Sequence, residues 1–245
     1  MPRLYCDLAL TPGDEVSLPA GAARHVQVLR LQPGDGLTLF NGRAGEYAAH
    51  VEHMGRQEVR VRVGEHHAIE REAPVAVHLV TGMPANERMD WLVEKATELG
   101  VQRLTPVMTE RSVLRLQGER ADKKLAHWHS VVVAASEQCG RNRLMTIDPV
   151  CTLAQWLRHL TPPTIPAESV RAVLSLDPSA QPLGSVLTQT SGGTPWMLVS
   201  GPEGGLSAEE ESWLLERGLR PVSLGDRVLR AETAAIAAVT RLVLA

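Results

Sequence analysis

The pattern of apolar and polar positions changes character near residue 72. Before that point, short apolar runs are separated by glycine-containing turns, and Asn41-Gly42 between two of the runs is a hairpin signal. Residues 59–63 alternate strictly between valine and arginine, which predicts a strand with one solvent-facing, cationic side. Short strands, with one helix between the first two, predict a small β-barrel domain over residues 1–72.

From residue 73 onward, fully apolar runs of strand length alternate with longer stretches that are apolar on one helical face. The helix predicted after residue 86 has this spacing and ends at Gly100, a residue typical of the position after a helix. Buried strands that alternate with helices are typical of a parallel sheet. Residues 73–245 are therefore predicted to form one α/β domain.

Two strand–loop–helix units near the C-terminus carry loops of unusual composition. The first loop follows the apolar run 196–199 and contains two adjacent glycines within residues 201–205, which would let backbone amides approach a ligand closely. The second spans residues 225–234 and places Arg230 and Glu232 among small or apolar neighbours. Open α/β sheets bind ligands at the carboxyl ends of their strands. We predict that the two strands are neighbours and that their loops form one ligand site.

Composition limits the class of protein. Cys6, Cys139 and Cys151 are far apart and form no CxxC pair, which argues against a zinc site and a disulfide framework and fits a reducing cytosol. The N-terminus has no signal-peptide core, and no apolar run is long enough to cross a bilayer, so a cytoplasmic protein without membrane contact is expected. Net charge is −3, so nucleic-acid binding needs local clusters, of which residues 103–143 are the most basic.

The two C-terminal loops resemble those of the ribosomal RNA small subunit methyltransferase E family. The matching residues are Gly201-Pro202-Glu203-Gly204-Gly205 and Leu224-Gly225-x-Arg227-x-Leu229-Arg230-x-Glu232-Thr233-Ala234. Asp226 and Ala231 stand where the family usually has proline and threonine. This family belongs to the SPOUT, or α/β-knot, methyltransferases. The resemblance implies a C-terminal trefoil knot, a PUA-like or OB-like N-terminal barrel that helps to hold RNA, and a homodimer.

The resemblance also implies S-adenosylmethionine as cofactor and 16S ribosomal RNA of the small subunit as partner, with no metal. The expected cofactor residues lie in or beside the two loops and after an earlier strand: Leu176, Ser200, Gly201, Glu203, Gly204, Gly205, Leu224, Gly225, Val228, Leu229, Arg230 and Thr233. The expected RNA contacts are basic residues of both domains: Arg3, Arg24, His25, Arg30, Arg43, Arg111 and Arg141.

The reaction that the resemblance implies is methylation of uridine N3 at a decoding-region position. No histidine follows His159, so a histidine base within these loops is excluded. Arg230 is expected to stabilise negative charge on the uracil oxygens, and Glu232 to orient Arg230 or to take the proton. For Glu203, a structural role in its loop and a catalytic role are both possible.

Three alternatives remain. A Rossmann-type oxidoreductase would need a G-x-G-x-x-G motif after the first strand, and the glycine-rich loop lies near the C-terminus instead. A non-catalytic RNA-binding protein that keeps the fold would not need the intact Arg230 and Glu232. A SPOUT methyltransferase for another RNA site is the third alternative.

Overall fold

The computed structural model describes residues 1–43, 45–56, 58–160 and 168–244, which form two compact units. The first contains Met1–Glu72 and Val133–Leu144, and the second contains Ala73–Val132 and Met145–Ala245. The chain leaves the first unit after Glu72. It returns to that unit for residues 133–144, which the pattern assigns to the second domain.

Within the described residues, the N-terminal unit is a five-stranded sheet with the strand order β1-β3-β4-β5-β2. The β1–β3 pair is parallel and the other pairs are antiparallel. The elements are β1 (Arg3–Tyr5), β2 (Glu15–Ser17), α1 (Ala20–Val28), β3 (Gly36–Phe40), β4 (Glu46–Met54) and β5 (Val59–His67).

The alternating arginines of β5 face solvent, but their charge is compensated. Val59, Val61 and Val63 are fully buried in the core of the unit, as the alternation predicts. Arg60 forms an ion pair with Glu15, and Arg62 forms ion pairs with Glu15 and Glu52. This side of the strand is therefore less cationic than the pattern of β5 alone indicates.

A second polar network of the same unit is centred on Glu46 at the start of β4. Its carboxylate accepts hydrogen bonds from Arg3, from Arg71 (Oε2 to Nη1, 2.8 Å) and from Asn142 (3.2 Å). Burial alone would raise the pKa of Glu46, but these hydrogen bonds outweigh it and lower the pKa to about 2. Residues 133–144 thus supply polar partners to the first strands of the chain.

The second unit contains a parallel sheet flanked by helices, which confirms the predicted α/β class. The strand order is β11-β13-β10-β12-β6-β7-β8, with β9 also paired to β7. The elements are β6 (Val77–Gly82), α2 (Asn86–Glu98), β7 (Arg103–Met108), α3 (Glu119–Cys139), β8 (Thr146–Ile147), β9 (Cys151–Thr152), α4 (Leu153–Arg158), β10 (Val170–Leu174), β11 (Gln181–Pro182), α5 (Leu183–Thr188), β12 (Trp196–Ser200), α6 (Ala208–Glu216), β13 (Arg220–Ser223) and α7 (Ala231–Val243).

The strands that precede the two unusual loops are not neighbours. β10 pairs with β12 on one side and with β13 on the other, so it lies between them. The prediction of adjacent strands is wrong because hydrophobic periodicity identifies a buried strand but carries no information about its position in the sheet. Three loops, rather than two, therefore meet at this edge. The threading of α7 through a loop, which the family resemblance implies, stays a prediction.

The described part of the chain contains no helix that is both long and apolar enough to cross a membrane. It also contains no group of three or more histidine, cysteine, aspartate or glutamate side chains that is arranged to hold a metal ion.

Candidate active site

A cavity of about 300 Å³ opens at the carboxyl ends of β10, β12 and β13. Arg230 and Thr233 are exposed and are not among its lining residues. The structure brings together at this cavity the other ten residues expected to contact the cofactor: Leu176, Ser200, Gly201, Glu203, Gly204, Gly205, Leu224, Gly225, Val228 and Leu229.

The glycine-rich loop after β12 is packed closely on more than one side. A Cβ atom on Gly201 would lie 3.0 Å from the Leu206 nitrogen, within the loop itself. A Cβ atom on Gly82, at the end of β6, would lie 2.5 Å from Pro202 Cδ. Gly205 has a φ of +70°, in the left-handed region that favours glycine. The glycines thus serve the packing of the loop as well as the approach of a ligand.

Arg111 holds this loop from the other side. Its Nη1 donates hydrogen bonds to the carbonyl oxygens of Gly204 (3.1 Å) and Leu206 (3.3 Å). A Cβ atom on Gly204 would lie 2.9 Å from Arg111 Cβ. Arg111 also lines the cavity, whereas the sequence pattern assigned it to RNA contact. Because Arg111 donates hydrogen bonds to two carbonyl oxygens of the loop, it helps to shape the cavity.

The helix after this loop begins with a reciprocal hydrogen-bond pair. Ser207 Oγ accepts from the Glu210 backbone N–H, and Glu210 Oε2 accepts from the Ser207 backbone N–H at 3.0 Å. Glu210 Oε1 also accepts from the Glu110 backbone N–H at 2.8 Å. Ser207 is thus the N-cap residue of α6, and Glu210 ties the start of α6 to the segment that contains Arg111.

Glu203 binds a different helix from the one that its own loop enters. Its Oε1 accepts hydrogen bonds from the Ala85 backbone N–H (2.9 Å) and from Arg88 Nη1 (3.2 Å), at the start of α2. Burial would raise the pKa of Glu203, but the Ala85 N–H bond and the Arg88 cation outweigh it and lower the pKa. Glu203 therefore remains an ionised anchor of the loop, which favours the structural role over the catalytic one.

Glu232 lies in the first turn of α7 and forms its ion pair with Arg88. It is 8% exposed, and its Oε1 lies 3.8 Å from Arg88 Nε. Its Oε2 is buried and has no hydrogen-bond partner among the described residues. The expectation that Glu232 orients Arg230 is corrected, because Arg88 is the cation beside it.

Arg88 is the residue of this site that sequence reasoning missed. The available signal was its position in the first turn of α2, where a cation opposes the helix dipole and so indicates an outside partner.

The walls of the cavity suit a flat heterocycle with a polar edge. Leu224 and Leu229 are partly buried, whereas Leu176 and Val228 are 74% and 78% exposed although they are large and apolar. The backbone of residues 200–205 supplies amide and carbonyl groups beside these side chains. Apolar surface and backbone polar groups together are typical of a small-molecule site.

The basic residues expected to contact RNA fall into two groups in the N-terminal unit. Arg24, Arg30 and Arg43 are exposed. The others take part in internal pairs: Arg3 with Glu46 and Asn142, His25 with Glu137, and Arg141 with Glu72.

Arg141 in particular is unsuited to binding RNA. Arg141 is only 2% exposed. Its Nε donates a hydrogen bond to Glu72 Oε1 at 3.2 Å, and its Nη2 donates one to Glu72 Oε2 at 2.7 Å. The expectation for Arg141 is therefore corrected: it lies in the most basic stretch of the sequence, but its side chain is an internal partner of Glu72.

Two family models define the class to which this fold and site belong. A model described as an RNA methyltransferase domain matches residues 71–243, and one described as an RNA methyltransferase PUA domain matches residues 18–64. The combination is that of an RNA methyltransferase with a small N-terminal PUA domain.

Individual relatives narrow the class. The chain is 30% identical to ribosomal RNA small subunit methyltransferase E of Synechocystis sp., covering 93% of this chain and 72% of the relative. It is 27% identical to the Bacillus subtilis protein of the same name, covering 88% and 84%. A solved structure of the Neisseria gonorrhoeae protein of that name, bound to S-adenosylmethionine, superposes with a TM-score of 0.89 at 34% identity, covering 99% and 96%. The chain belongs to the ribosomal RNA small subunit methyltransferase E family.

Proposed function

We propose that this chain binds S-adenosylmethionine in the cavity and methylates N3 of a decoding-region uridine in 16S ribosomal RNA. The observation that carries the proposal is the meeting of three strand ends at one cavity that is lined by ten of the twelve residues expected to contact the cofactor. The Neisseria gonorrhoeae relative, solved with S-adenosylmethionine, supports the choice of cofactor. The names of the relatives support the choice of a small-subunit ribosomal RNA.

The residues of the cavity fit this cofactor. Leu224, Val228 and Leu229 offer apolar surface to the faces of an adenine ring, and the exposure of Val228 leaves that surface open to a ligand. Backbone groups of the glycine-rich loop can bind the polar edge of the ring. When bound, the cofactor supplies an electrophilic methyl group. The loops then have to hold the donor and the uridine in line for transfer.

Arg230 is the residue that we assign to charge stabilisation. It is the N-cap residue of α7 and stands between Leu229 and Ala231, both of which line the cavity. Its side chain is exposed, so it can reach a base that enters from solvent. Loss of the N3 proton leaves negative charge on the uracil oxygens, and a permanently cationic guanidinium stabilises that charge.

Glu232 is not assigned to proton transfer. It is buried beside Arg88 and is absent from the lining of the cavity. We assign the N3 proton to water, and we assign Glu232 to holding the first turn of α7. Thr233, also exposed and outside the lining, is given no cofactor contact.

The exposed arginines of the N-terminal unit, Arg24, Arg30 and Arg43, are proposed to contact RNA phosphates. A homodimer in the cytoplasm, where ribosomal subunits are assembled, completes the proposal and rests on the family resemblance.

The decisive experiment locates the modification. Mass spectrometric mapping of 16S ribosomal RNA from cells with and without this protein should reveal one N3-methyluridine that disappears in the deletion strain. Restoring the wild-type gene should restore the modification. Identical modification in both strains would refute the proposed reaction, and RNA binding without methyl transfer would favour a non-catalytic protein.

A companion experiment tests Arg230 in vitro. Arg230→Ala should lower the single-turnover rate on small-subunit substrate by about 10²–10³-fold, the usual loss for a charge-stabilising donor, while cofactor affinity changes much less. Arg220→Ala is the matched control, because Arg220 is an exposed arginine at the opposite end of β13. Wild-type rates in folded Arg230→Ala protein would remove Arg230 from the mechanism.

A further inference from the structure

Arg88 lies outside the lining of the cavity but contacts both loops that form its walls. Its Nη1 donates to Glu203 Oε1 in the glycine-rich loop at 3.2 Å. Its Nε lies 3.8 Å from Glu232 Oε1 in the first turn of α7. One guanidinium thus donates a hydrogen bond to the Glu203 carboxylate and forms a longer ion pair with the Glu232 carboxylate through a different nitrogen.

The position of Arg88 is not explained by the stability of its own helix. A cation in the first turn of a helix is unfavourable next to the positive end of the dipole. Glu203 offsets this cost because its carboxylate also accepts the Ala85 N–H at the start of α2. The start of α2 and the glycine-rich loop thus stabilise each other through Glu203.

Glu232 depends on Arg88 for charge compensation. Its carboxylate is buried, and one of its oxygens has no hydrogen-bond partner within the described residues. A buried carboxylate that loses its cation has to move towards water or take up a proton. Movement of the carboxylate towards water would displace the first turn of α7, and this turn carries Ala231 and Ala234, which line the cavity.

We propose that Arg88 is a positioning residue for methyl transfer. It fixes the glycine-rich loop and the first turn of α7 relative to each other, and so sets both the width of the cavity and the point from which Arg230 extends. Arg88 acts through Glu203 and Glu232 and touches neither cofactor nor base. The inference rests on the proposed function, because it concerns the geometry of that same reaction.

This geometry predicts a graded response to substitution. Lysine keeps the positive charge but concentrates it on one nitrogen, so it cannot reproduce the separated contacts of Nη1 with Glu203 and of Nε with Glu232. Arg88→Lys should therefore retain part of the function. Arg88→Ala should lower the single-turnover rate at saturating S-adenosylmethionine by about 10–100-fold, the order of loss expected for a misplacement of about 1 Å. Because the cofactor is saturating, weaker binding alone cannot produce this loss.

Lys95→Ala is the matched control. Lys95 also lies on α2 and also bridges two carboxylates, Glu94 at 2.7 Å and Glu98 at 2.8 Å, but both belong to its own helix. Its removal should leave the transfer rate unchanged. Thermal unfolding, calorimetric binding of S-adenosylmethionine and single-turnover rates should be measured for wild type and for every variant.

Glu232→Gln and the double variant Arg88→Ala/Glu232→Gln complete the experiment. If Arg88 acts through Glu232, the double variant should be no slower than Arg88→Ala. Multiplicative losses, or a wild-type rate in folded Arg88→Ala protein, would overturn the inference. If Arg88→Ala does not fold, a wild-type rate in Arg88→Lys would overturn it equally. Wild-type protein that neither binds S-adenosylmethionine nor transfers methyl groups would refute the proposed function instead.

Discussion

Adding one methyl group at Gly82 tests whether the contact between β6 and the glycine-rich loop sets the cofactor site. In Gly82→Ala the new Cβ would lie 2.5 Å from Pro202 Cδ and 2.6 Å from the Pro202 nitrogen. Favourable carbon–carbon separations are about 3.5–4.0 Å, so the overlap is about 1 Å. Neither the proline ring nor the backbone can rotate away, so the loop itself has to move.

The size of the effect follows from the cost of overpacking. An extra methyl group in a well-packed site typically costs about 1–3 kcal/mol. If the loop relieves the overlap by moving away from its ligand-binding position, the same free energy appears as S-adenosylmethionine binding that is weaker by about 5- to 150-fold. If β6 shifts instead of the loop, the free energy of unfolding falls by about the same 1–3 kcal/mol and the affinity for S-adenosylmethionine is unchanged.

Calorimetric titration of folded protein separates the two cases. Gly192→Ala is the control, because a Cβ there meets nothing within 4 Å and its φ is not in the left-handed region. Thermal unfolding of both variants shows whether the fold is retained. Folded Gly82→Ala protein that binds S-adenosylmethionine as tightly as Gly192→Ala would refute the role of this contact in the site.

Three further predictions concern helix capping, pH and RNA. Ser207→Ala removes the N-cap acceptor of α6 and should lower the stability by about 1 kcal/mol, seen as a melting temperature about 2–4 °C lower, whereas Ser207→Thr should retain it. Glu46 has a pKa of about 2 in the folded protein, below its unfolded value near 4.5, so its stabilisation is complete above pH 4.5 and is lost as the pH falls towards 2. Acid titrations should therefore find a smaller loss of stability in Glu46→Gln than in wild type over that range, and equal losses would contradict the assignment. Arg24→Ala should reduce the salt dependence of RNA binding by about one phosphate contact, whereas Arg62→Ala should change it less, because Arg62 is already paired with Glu15 and Glu52. Equal salt slopes for the two variants would place the phosphate contacts elsewhere.

Features governed by local pattern could be predicted from the sequence. The alternation of residues 59–63 predicts which valines are buried in β5, and the serine before an acidic turn predicts the start of α6. The glycine-rich composition of residues 201–205 predicts a loop at the carboxyl end of a strand, and this loop lines the cavity. In each case the determining interactions lie within a few residues along the chain.

Features that depend on contacts between residues far apart in the sequence could not be predicted from it. The position of β10 between β12 and β13 depends on strand pairing, for which the apolar runs are interchangeable. Arg88 is 115 residues from Glu203, and Arg111 is 93 residues from Gly204, so no local pattern connects them. Arg141 is a basic residue in a basic segment, and only its burial against Glu72 separates it from a surface arginine.

The assignment of residues 133–144 to the N-terminal unit has a consequence for synthesis. Tyr5 N–H is hydrogen-bonded to Glu137, and Glu46 to Asn142, so the first strands of the chain acquire these partners only after residues 73–132 have been made. At about 5–20 residues per second, that delay is on the order of 3–12 seconds. The N-terminal unit is thus begun first but completed late, by residues that include the last third of α3, whose first two thirds belong to the other unit. A gene fragment that ends at residue 72 would encode a sheet without these partners, and a functional exchange of this unit between relatives would have to carry both pieces.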